Sequence, residues 1–240
     1  MKMNSTAAVF LALLTALFVS CAARISGGLD AGSAGNFTIS ASLQPRMSAL
    51  IRSLQALGGD VRPDSPILDG RAIAQSMSAA PGVSSVSFRN TAPGSIEGPV
   101  QISKIGDFLA GGGRTGGFIS FEQQAGTGRC AINISRESGP EILSFISPEI
   151  ADYLSVLMAP LATGEELTKT DYVMLVSSIY GRGIADEISG STIRASIDFP
   201  GPVQSVKGGT FSGRRAEFAI PLVDLLVLEN PLSYEITWSQ

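Results

Sequence analysis

The sequence predicts an α+β domain in which an antiparallel sheet, formed by strands near both ends of the chain, packs against helices from its middle. Three observations predict this class. Apolar and polar residues alternate with a period of two early in the chain and again after residue 191, as in half-buried strands. Apolar residues recur at helical spacing between these regions. Of the 240 residues, 44% are hydrophobic, which is enough to bury a substantial core.

The N-terminal twenty residues have the layout of a secretory signal peptide. Lys2 lies in a short n-region, and residues 7–19 form an uncharged apolar h-region. This h-region is too short to cross a bilayer, because a spanning helix needs about 20 apolar residues. The residues that follow, Phe18-Val19-Ser20-Cys21, place a small residue directly before a cysteine. This motif resembles the bacterial lipobox.

The lipobox resemblance implies that the chain is cut before Cys21, whose sulfur takes a diacylglycerol and whose amino group is usually acylated as well. Each buried CH₂ group contributes about 0.8 kcal/mol, so two or more acyl chains hold a protein durably at a membrane. Such processing removes Lys2 and no acidic residue, which changes the net charge from −4 to −5. An acidic domain gains nothing from anionic headgroups, so the acyl chains must supply the attachment. The alternative is ordinary cleavage after Ala23, which discards Cys21 and releases a secreted protein.

The first part of the mature chain is predicted as a tether followed by a folded domain. Residues 21–35 are small and polar with four glycines, which is typical of a flexible tether, and residues 36–240 are expected to form one domain. Apolar residues alternate from Phe37 to Leu43 and predict a strand. Residues 46–57 carry a helical apolar stripe that Gly58-Gly59 ends.

The remaining elements follow from capping and turn residues. Asp69 is expected to cap a short helix, and strands are predicted at residues 83–88 and 96–102. A Gly-rich turn joins strands at residues 118–123 and 129–135 in a hairpin. Helices are predicted to begin at Ser147-Pro148 and at Thr168, the second ending at Gly181. Strands after Ser191 complete the sheet.

The composition excludes several classes of function. The chain has no histidine, so it has no Ser-His or Cys-His pair and lacks the commonest metal ligand. Two cysteines cannot form a zinc site, and neither Gly-x-Ser-x-Gly nor Ser-x-x-Lys occurs. Seventeen basic against 21 acidic residues leave no positive excess to neutralise a nucleic acid backbone. We therefore expect no catalytic residues, no metal, no cofactor and no nucleic-acid partner.

Two motifs invite a chemical interpretation, and in both a structural one is favoured. The acid pairs Glu165-Glu166 and Asp186-Glu187 are interpreted as charges at helix ends rather than as acid–base pairs. The Gly-rich stretch at residues 111–117 lacks the Gly-Lys-Ser/Thr ending of a phosphate loop and precedes a strand. We interpret it as a connector.

Cys130 is the only remaining thiol if Cys21 is lipidated. It shares a strand face with Ile132 and Ile134, which predicts a buried small hydrophobe. A reactive thiol is the minority interpretation.

The two middle helices carry methionine and aromatic side chains that are adaptable enough to line a cavity for a hydrophobic ligand. The candidate ligand-binding residues are Tyr153, Leu157, Met158, Tyr172, Met174 and Ile179. The same spacing is equally typical of a helix face in a core, and both interpretations stay open.

The C-terminal part carries a second resemblance. A strand runs into Phe199-Pro200-Gly201, the chain turns at Gly208-Gly209, a strand returns through Phe218, and a last strand reaches Trp238. This arrangement resembles the end of LppM-type envelope lipoproteins, which carry a tryptophan where this chain has Phe218. The resemblance implies an exported, lipid-anchored α+β domain with a proposed role in binding envelope lipids and with no catalytic residues.

Together these observations predict a bacterial lipoprotein of the cell envelope, with a signal peptide and with acyl chains such as palmitate on Cys21. Its domain is expected to lie outside the cytoplasm, as in the periplasm. We expect this domain to bind a lipid or another hydrophobic ligand rather than to catalyse a reaction. The alternative is a structural or assembly module that contacts another envelope protein.

Overall fold

The computed structural model describes residues 22–57, 65–110, 118–124, 126–138 and 154–239. The strands of this part of the chain are β1 (Ala22–Leu29), β2 (Gly35–Ser42), β3 (Val83–Val86), β4 (Arg89–Ala92), β5 (Ser95–Ile102), β6 (Ile119–Gln124), β7 (Thr127–Ile134), β8 (Thr192–Asp198), β9 (Val203–Lys207), β10 (Gly209–Ser212), β11 (Arg215–Pro221) and β12 (Leu232–Ser239). The helices are α1 (Pro45–Leu57), α2 (Gly70–Ser78), α3 (Ile105–Ala110), α4 (Pro160–Thr163), α5 (Lys169–Tyr180), α6 (Arg182–Gly190) and α7 (Leu222–Val227).

The strands form two sheets, and the α+β class is confirmed. The larger sheet has eight strands in the order β10-β11-β8-β1-β2-β5-β3, with β4 also paired to β5. The smaller sheet has the order β6-β7-β12-β9. The architecture differs from the predicted single antiparallel sheet, because β1 and β8 pair in parallel. A parallel pair needs a long crossover, and the helices between β2 and β8 in the sequence provide it.

Residues 22–29 form β1, a central strand, rather than a tether. β1 pairs along its whole length with β2, beginning at Ala22 opposite Ser42. It also pairs in parallel with β8, beginning at Ala22 opposite Thr192. Ala23 is 4% exposed and belongs to the main core. The tether prediction is therefore wrong for this segment, and the described fold begins at Ala22 rather than at residue 36.

The small residues of this segment allow β1 to pack closely against β2 and allow the chain to turn between the two strands. A Cβ atom at Gly27 would lie 2.1 Å from the backbone oxygen of Asn36 on β2, so only glycine fits there. In the connection from β1 to β2, the Asp30 amide donates to the Ala34 carbonyl over 2.9 Å. The Asp30 carboxylate accepts in return from the Ala34 amide over 2.9 Å. Residues 30–34 are therefore a hydrogen-bonded turn, and the tether prediction is wrong there as well.

The larger sheet buries one face along its length. Where β1 begins, the inner face carries Ala23, Ala41 and Ile193 and packs against the helices in the main core. At the other end of β1, the inner face packs against the smaller sheet around Phe199 and Trp238. We call these regions the helix-covered end and the sheet-covered end. The outer face of the larger sheet carries small polar residues together with charged ones such as Arg24 and Arg194.

Several elements form where local signals predicted them. The Asp69 carboxylate caps α2 by accepting from the Arg71 and Ala72 amides, and the Thr168 hydroxyl caps α5 by accepting from the Asp171 amide. The predicted hairpin is confirmed as β6 and β7. The helix predicted at Ser147-Pro148 and the Gly-rich connector at residues 111–117 lie outside the described residues. Within the described ranges, no helix has both the length and the apolar character needed to cross a membrane.

Candidate functional site

An open cleft lies between α1, the end of α5 and the first half of α6, at the helix-covered end. Its volume is about 650 Å³, within the range of small-molecule sites. The lining residues are Arg46, Ala49, Leu50, Ser53, Tyr180, Arg182, Gly183, Ile184 and Asp186. The lining therefore combines apolar and charged side chains, which is an amphipathic arrangement.

The position of α1 against α6 is fixed by the carboxylate of Glu187. This carboxylate accepts from the Arg46 amide over 3.0 Å and from the Met47 amide over 2.8 Å. Amides in the first turn of a helix have no partner within the helix, and α1 has no acidic residue there. Glu187 therefore supplies the missing cap from another helix, and its negative charge faces the positive end of the α1 dipole.

Arg46 reaches across the cleft because position 183 is glycine. A Cβ atom at Gly183 would lie 2.1 Å from Nη1 and 2.6 Å from Cζ of Arg46. The guanidinium group therefore lies directly against the backbone of α6. Its side chain lines the cleft and forms no hydrogen bond or ion pair with any residue in the described part of the chain.

A second cation lies on the rim of the same cleft. The Arg182 side chain is 89% exposed, and its Nε lies 3.9 Å from the carboxylate of Asp186. An exposed pair at this distance contributes little. The apolar walls of Leu50 and Ile184 thus lie beside two guanidinium groups of which neither is strongly neutralised. Such a site matches a ligand with an apolar chain and an anionic head.

The acid pairs have structural roles. In the pair at 186–187, Asp186 lies near Arg182, whereas Glu187 caps α1. In the other pair, Glu165 and Glu166 are both exposed in the segment before α5. Among the described residues, no group of three or more histidine, cysteine, aspartate or glutamate side chains is placed to hold a metal ion.

The predicted ligand-binding residues of α5 differ in their exposure to solvent. Tyr172 is 0% exposed in the main core, and burial raises the pKa of its phenol. Met174 and Ile179 are 57% and 49% exposed. None of these three lines the cleft, whereas Tyr180 of the same helix does. The Tyr180 hydroxyl donates to the backbone oxygen of Val156, which fixes the ring at the cleft wall.

The other predicted site residues lie elsewhere or outside the described residues. Leu157 and Met158 are half-buried in the short connection before α4, and Leu157 packs against the main core. Tyr153 and the lipidation candidate Cys21 lie outside the described residues, so their roles stay predictions.

Cys130 packs against the core of the sheet-covered end. Burial raises the pKa of its thiol to about 11, and the nearby Arg129 opposes this only weakly. The thiol is therefore protonated at neutral pH, which suits a packing role rather than a reactive one.

Sequence reasoning missed the residues that shape the cleft. The available signal was a helix start without a cap: Gln44 and Pro45 precede Arg46, and no serine, threonine, aspartate or asparagine occupies the capping position. An uncapped start implies a partner from another element. Glu187 is that partner, and its identity was not visible in the local pattern.

Comparisons with known proteins give one structural likeness. No family model matches the chain, and none of the curated proteins matches it. Among solved structures, the chain is similar to the NMR structure of the folded domain of the LppM protein of Mycobacterium tuberculosis. The two are 10% identical with a TM-score of 0.42, and the match covers 90% of this chain and 88% of that chain. The function proposed below rests on this chain's own residues.

Proposed function

We propose that this chain is a lipid-anchored protein of the bacterial envelope whose domain binds an anionic amphiphile and does not catalyse a reaction. The anchor is the acylated Cys21, and the domain lies outside the cytoplasm. The ligand occupies the cleft between α1 and α6, with its apolar chain along Leu50 and Ile184 and its anionic group at Arg46 and Arg182.

The start of β1 is the observation that carries the anchor proposal. Cleavage before Cys21 retains every residue that the structure describes in β1, Ala22–Leu29. Cleavage after Ala23 would remove two residues that pair with both β2 and β8, one of them buried in the main core. Processing at Cys21 therefore suits the fold, and this supports the lipobox interpretation over ordinary secretion.

The make-up of the cleft supports binding. Guanidinium groups form strong charge-assisted hydrogen bonds to carboxylates and phosphates, and they stay charged at every physiological pH. Of the other polar groups that line the cleft, the Tyr180 hydroxyl donates to the Val156 backbone oxygen, and Asp186 makes only an exposed contact with Arg182. Each CH₂ group of the ligand that leaves water against the apolar wall contributes about 0.8 kcal/mol.

The anchor is tested on the full chain expressed in a bacterial host that acylates exported cysteines. We expect the mass of the mature N-terminal peptide to correspond to an acylated Cys21. Cys21→Ala should move the protein from the membrane to the soluble fraction, whereas Cys130→Ala, the same change at the other cysteine, should leave it in the membrane. A mature chain that begins at Arg24, or at an unmodified Cys21, would refute the anchor.

The cleft is tested with two glycine substitutions in α6. Gly183→Ala places a methyl group where the Arg46 guanidinium lies, whereas a Cβ atom at Gly190 meets no atom within 4 Å. Lipid that co-purifies with each protein is quantified by mass spectrometry. Because a hydrogen bond to a charged group contributes about 1.5–3 kcal/mol, we expect Gly183→Ala to retain about tenfold less lipid. Gly190→Ala should match the parent protein, and equal retention by both variants would contradict the assignment.

Exposed apolar side chains on α5 favour a second candidate function, an assembly module. Met174 and Ile179 are the most exposed large hydrophobic residues of this helix. Single exposed hydrophobic residues are common. These two are five positions apart and lie on different sides of the helix, so a partner envelope protein would have to wrap around part of α5 to cover both. If the purified chain holds no lipid and Met174→Lys with Ile179→Lys abolishes a crosslink to an envelope protein, this second function replaces the first.

A further inference from the structure

Two arginines lie side by side on the outer face of the larger sheet. Arg24 of β1 and Arg194 of β8 are register partners across the parallel pair, and both are exposed. Neither side chain forms a hydrogen bond or ion pair with a residue that the structure describes. Like charges directly opposite each other destabilise a sheet, so folding alone gives no reason for this pair. In a chain with a net charge of −4, two adjacent uncompensated cations point to an external anion.

The surroundings of the arginine pair are flat, and the nearest acid on the adjoining strand β11 is Glu217, which is the register partner of Ser196 rather than of Arg194. The register places small residues around the pair on the same face: Ala22, Ser26, Ser40, Thr192 and Ser196. The row of register partners that crosses the sheet through Arg194 and Arg24 continues through Ser40 to Glu97 on β5. Glu97 is the nearest acid in this row, and it already forms an ion pair of 3.3 Å with Arg89. A planar, anionic surface can therefore approach both guanidinium groups without meeting a bulky side chain or a free carboxylate in that row.

The distance from the anchor places the pair at the membrane surface. Ala22, the first residue of β1 that the structure describes, directly follows Cys21 in the sequence. Arg24 lies three residues beyond Cys21, and a strand advances about 3.3 Å per residue, so Arg24 lies roughly 10 Å from the anchor. The headgroup region of a leaflet is about 5–7 Å thick, and arginine side chains extend toward polar groups at such depths.

We propose that Arg24 and Arg194 together bind the phosphate of an anionic phospholipid in the bilayer that holds the Cys21 acyl chains, and thereby fix the orientation of the domain on the membrane. The acidic net charge does not oppose this, because charges farther than about 8 Å are screened at physiological salt. The expectation that anionic headgroups contribute nothing thus applies to the domain as a whole and not to this pair. The inference rests on the proposed anchor and leaves the cleft free for its ligand.

The test uses the purified, natively processed full chain in two kinds of vesicle, phosphatidylcholine alone and phosphatidylcholine with phosphatidylglycerol. Phenylglyoxal modifies accessible arginines, and mass spectrometry reports the rate at each site. We expect Arg24 and Arg194 to react at least fivefold more slowly in the phosphatidylglycerol vesicles. Arg215 is the internal control. It pairs with Asp198, which lies opposite Gly28 at the far end of β1, so Arg215 should react at the same rate in both kinds of vesicle.

Single variants show whether the two arginines act together. Arg24→Gln should bring the modification rate of Arg194 in phosphatidylglycerol vesicles close to the rate in phosphatidylcholine. Lys104→Gln is the matched control, because it also removes one positive charge. Lys104 follows the end of β5 that is farthest from Ala22, so this change should leave the protection of Arg194 unchanged. An equal Arg215 rate in detergent shows that each variant is folded.

Three outcomes separate the possibilities. Equal rates at Arg24 and Arg194 in both vesicles would overturn the inference. Protection by inorganic phosphate in phosphatidylcholine vesicles would also overturn it, because the pair would then bind a soluble anion. The N-terminal peptide in the same digest reports whether Cys21 is acylated, so failure of the anchor is distinguished from failure of the arginine pair.

Discussion

The two ends of the larger sheet are covered in different ways. At the helix-covered end, α1 and α6 meet through one carboxylate and leave a cleft of about 650 Å³ between them. At the sheet-covered end, Trp238 is 1% exposed, and its ring centroid lies 4.7 Å from that of Phe199 and 6.0 Å from that of Phe121. Helices leave grooves between cylinders, whereas two sheets interdigitate their side chains.

We infer from this difference that ligand binding and the free energy of unfolding depend on different ends of the sheet. The features proposed for function, the start of β1, the cleft and the arginine pair, lie toward the helix-covered end or the neighbouring outer face. The sheet-covered end holds a tight aromatic cluster and a protonated thiol. We therefore expect substitutions at the sheet-covered end to change the free energy of unfolding, and substitutions at the helix-covered end to change ligand retention.

The largest expected effect is at Trp238. Trp238→Ala removes the centre of the aromatic cluster, and such a truncation costs about 3–5 kcal/mol of unfolding free energy. Urea unfolding measures this loss. Phe211→Ala is the matched control, because Phe211 is 47% exposed on the neighbouring edge strand β10 and should change the unfolding free energy by less than about 0.5 kcal/mol.

Trp238→Ala also tests whether the two ends of the sheet are independent of each other. Molecules of Trp238→Ala that remain folded should keep the lipid retention of the parent, because the cluster shares no lining residue with the cleft. A loss of lipid in proportion to the loss of stability would show that the two ends are coupled.

The next largest expected effect is the slow alkylation of Cys130 in the folded protein. Its pKa is raised from 9.0 to about 11, so at pH 8 the folded protein should react with iodoacetamide about a hundredfold more slowly than the chain in urea. The raised pKa also fixes the sign of the pH effect. Its contribution to stability is complete below about pH 9 and is lost as the pH rises toward 11. Equal alkylation rates in both states would show that the sheet-covered end opens readily.

The sequence predicts some elements of the fold much better than others. The helices α2 and α5 were predictable because Asp69 and Thr168 cap them within a few residues. β1 was not, because its small residues resemble a linker until β2 and β8 pair on both sides. α6 begins directly after Gly181, and a glycine at this position predicts only the end of the preceding helix. The sequence predicted α1 and α5 but not α6, and the contact of α1 with Glu187 had no local signal, so the cleft between these helices could not be predicted.

The smallest expected effect concerns the contact that sets the cleft. Glu187→Ala leaves the Arg46 and Met47 amides of α1 without their acceptor, and loss of a helix cap costs about 0.5–2 kcal/mol. Urea unfolding measures this loss, and Asp186→Ala on the same helix should cost less, since its carboxylate makes only an exposed contact of 3.9 Å. Because Glu187 also fixes α1 against α6, its removal should reduce lipid retention by more than its effect on stability alone predicts. Retention that follows stability in both variants would show that the shape of the cleft does not depend on this cap.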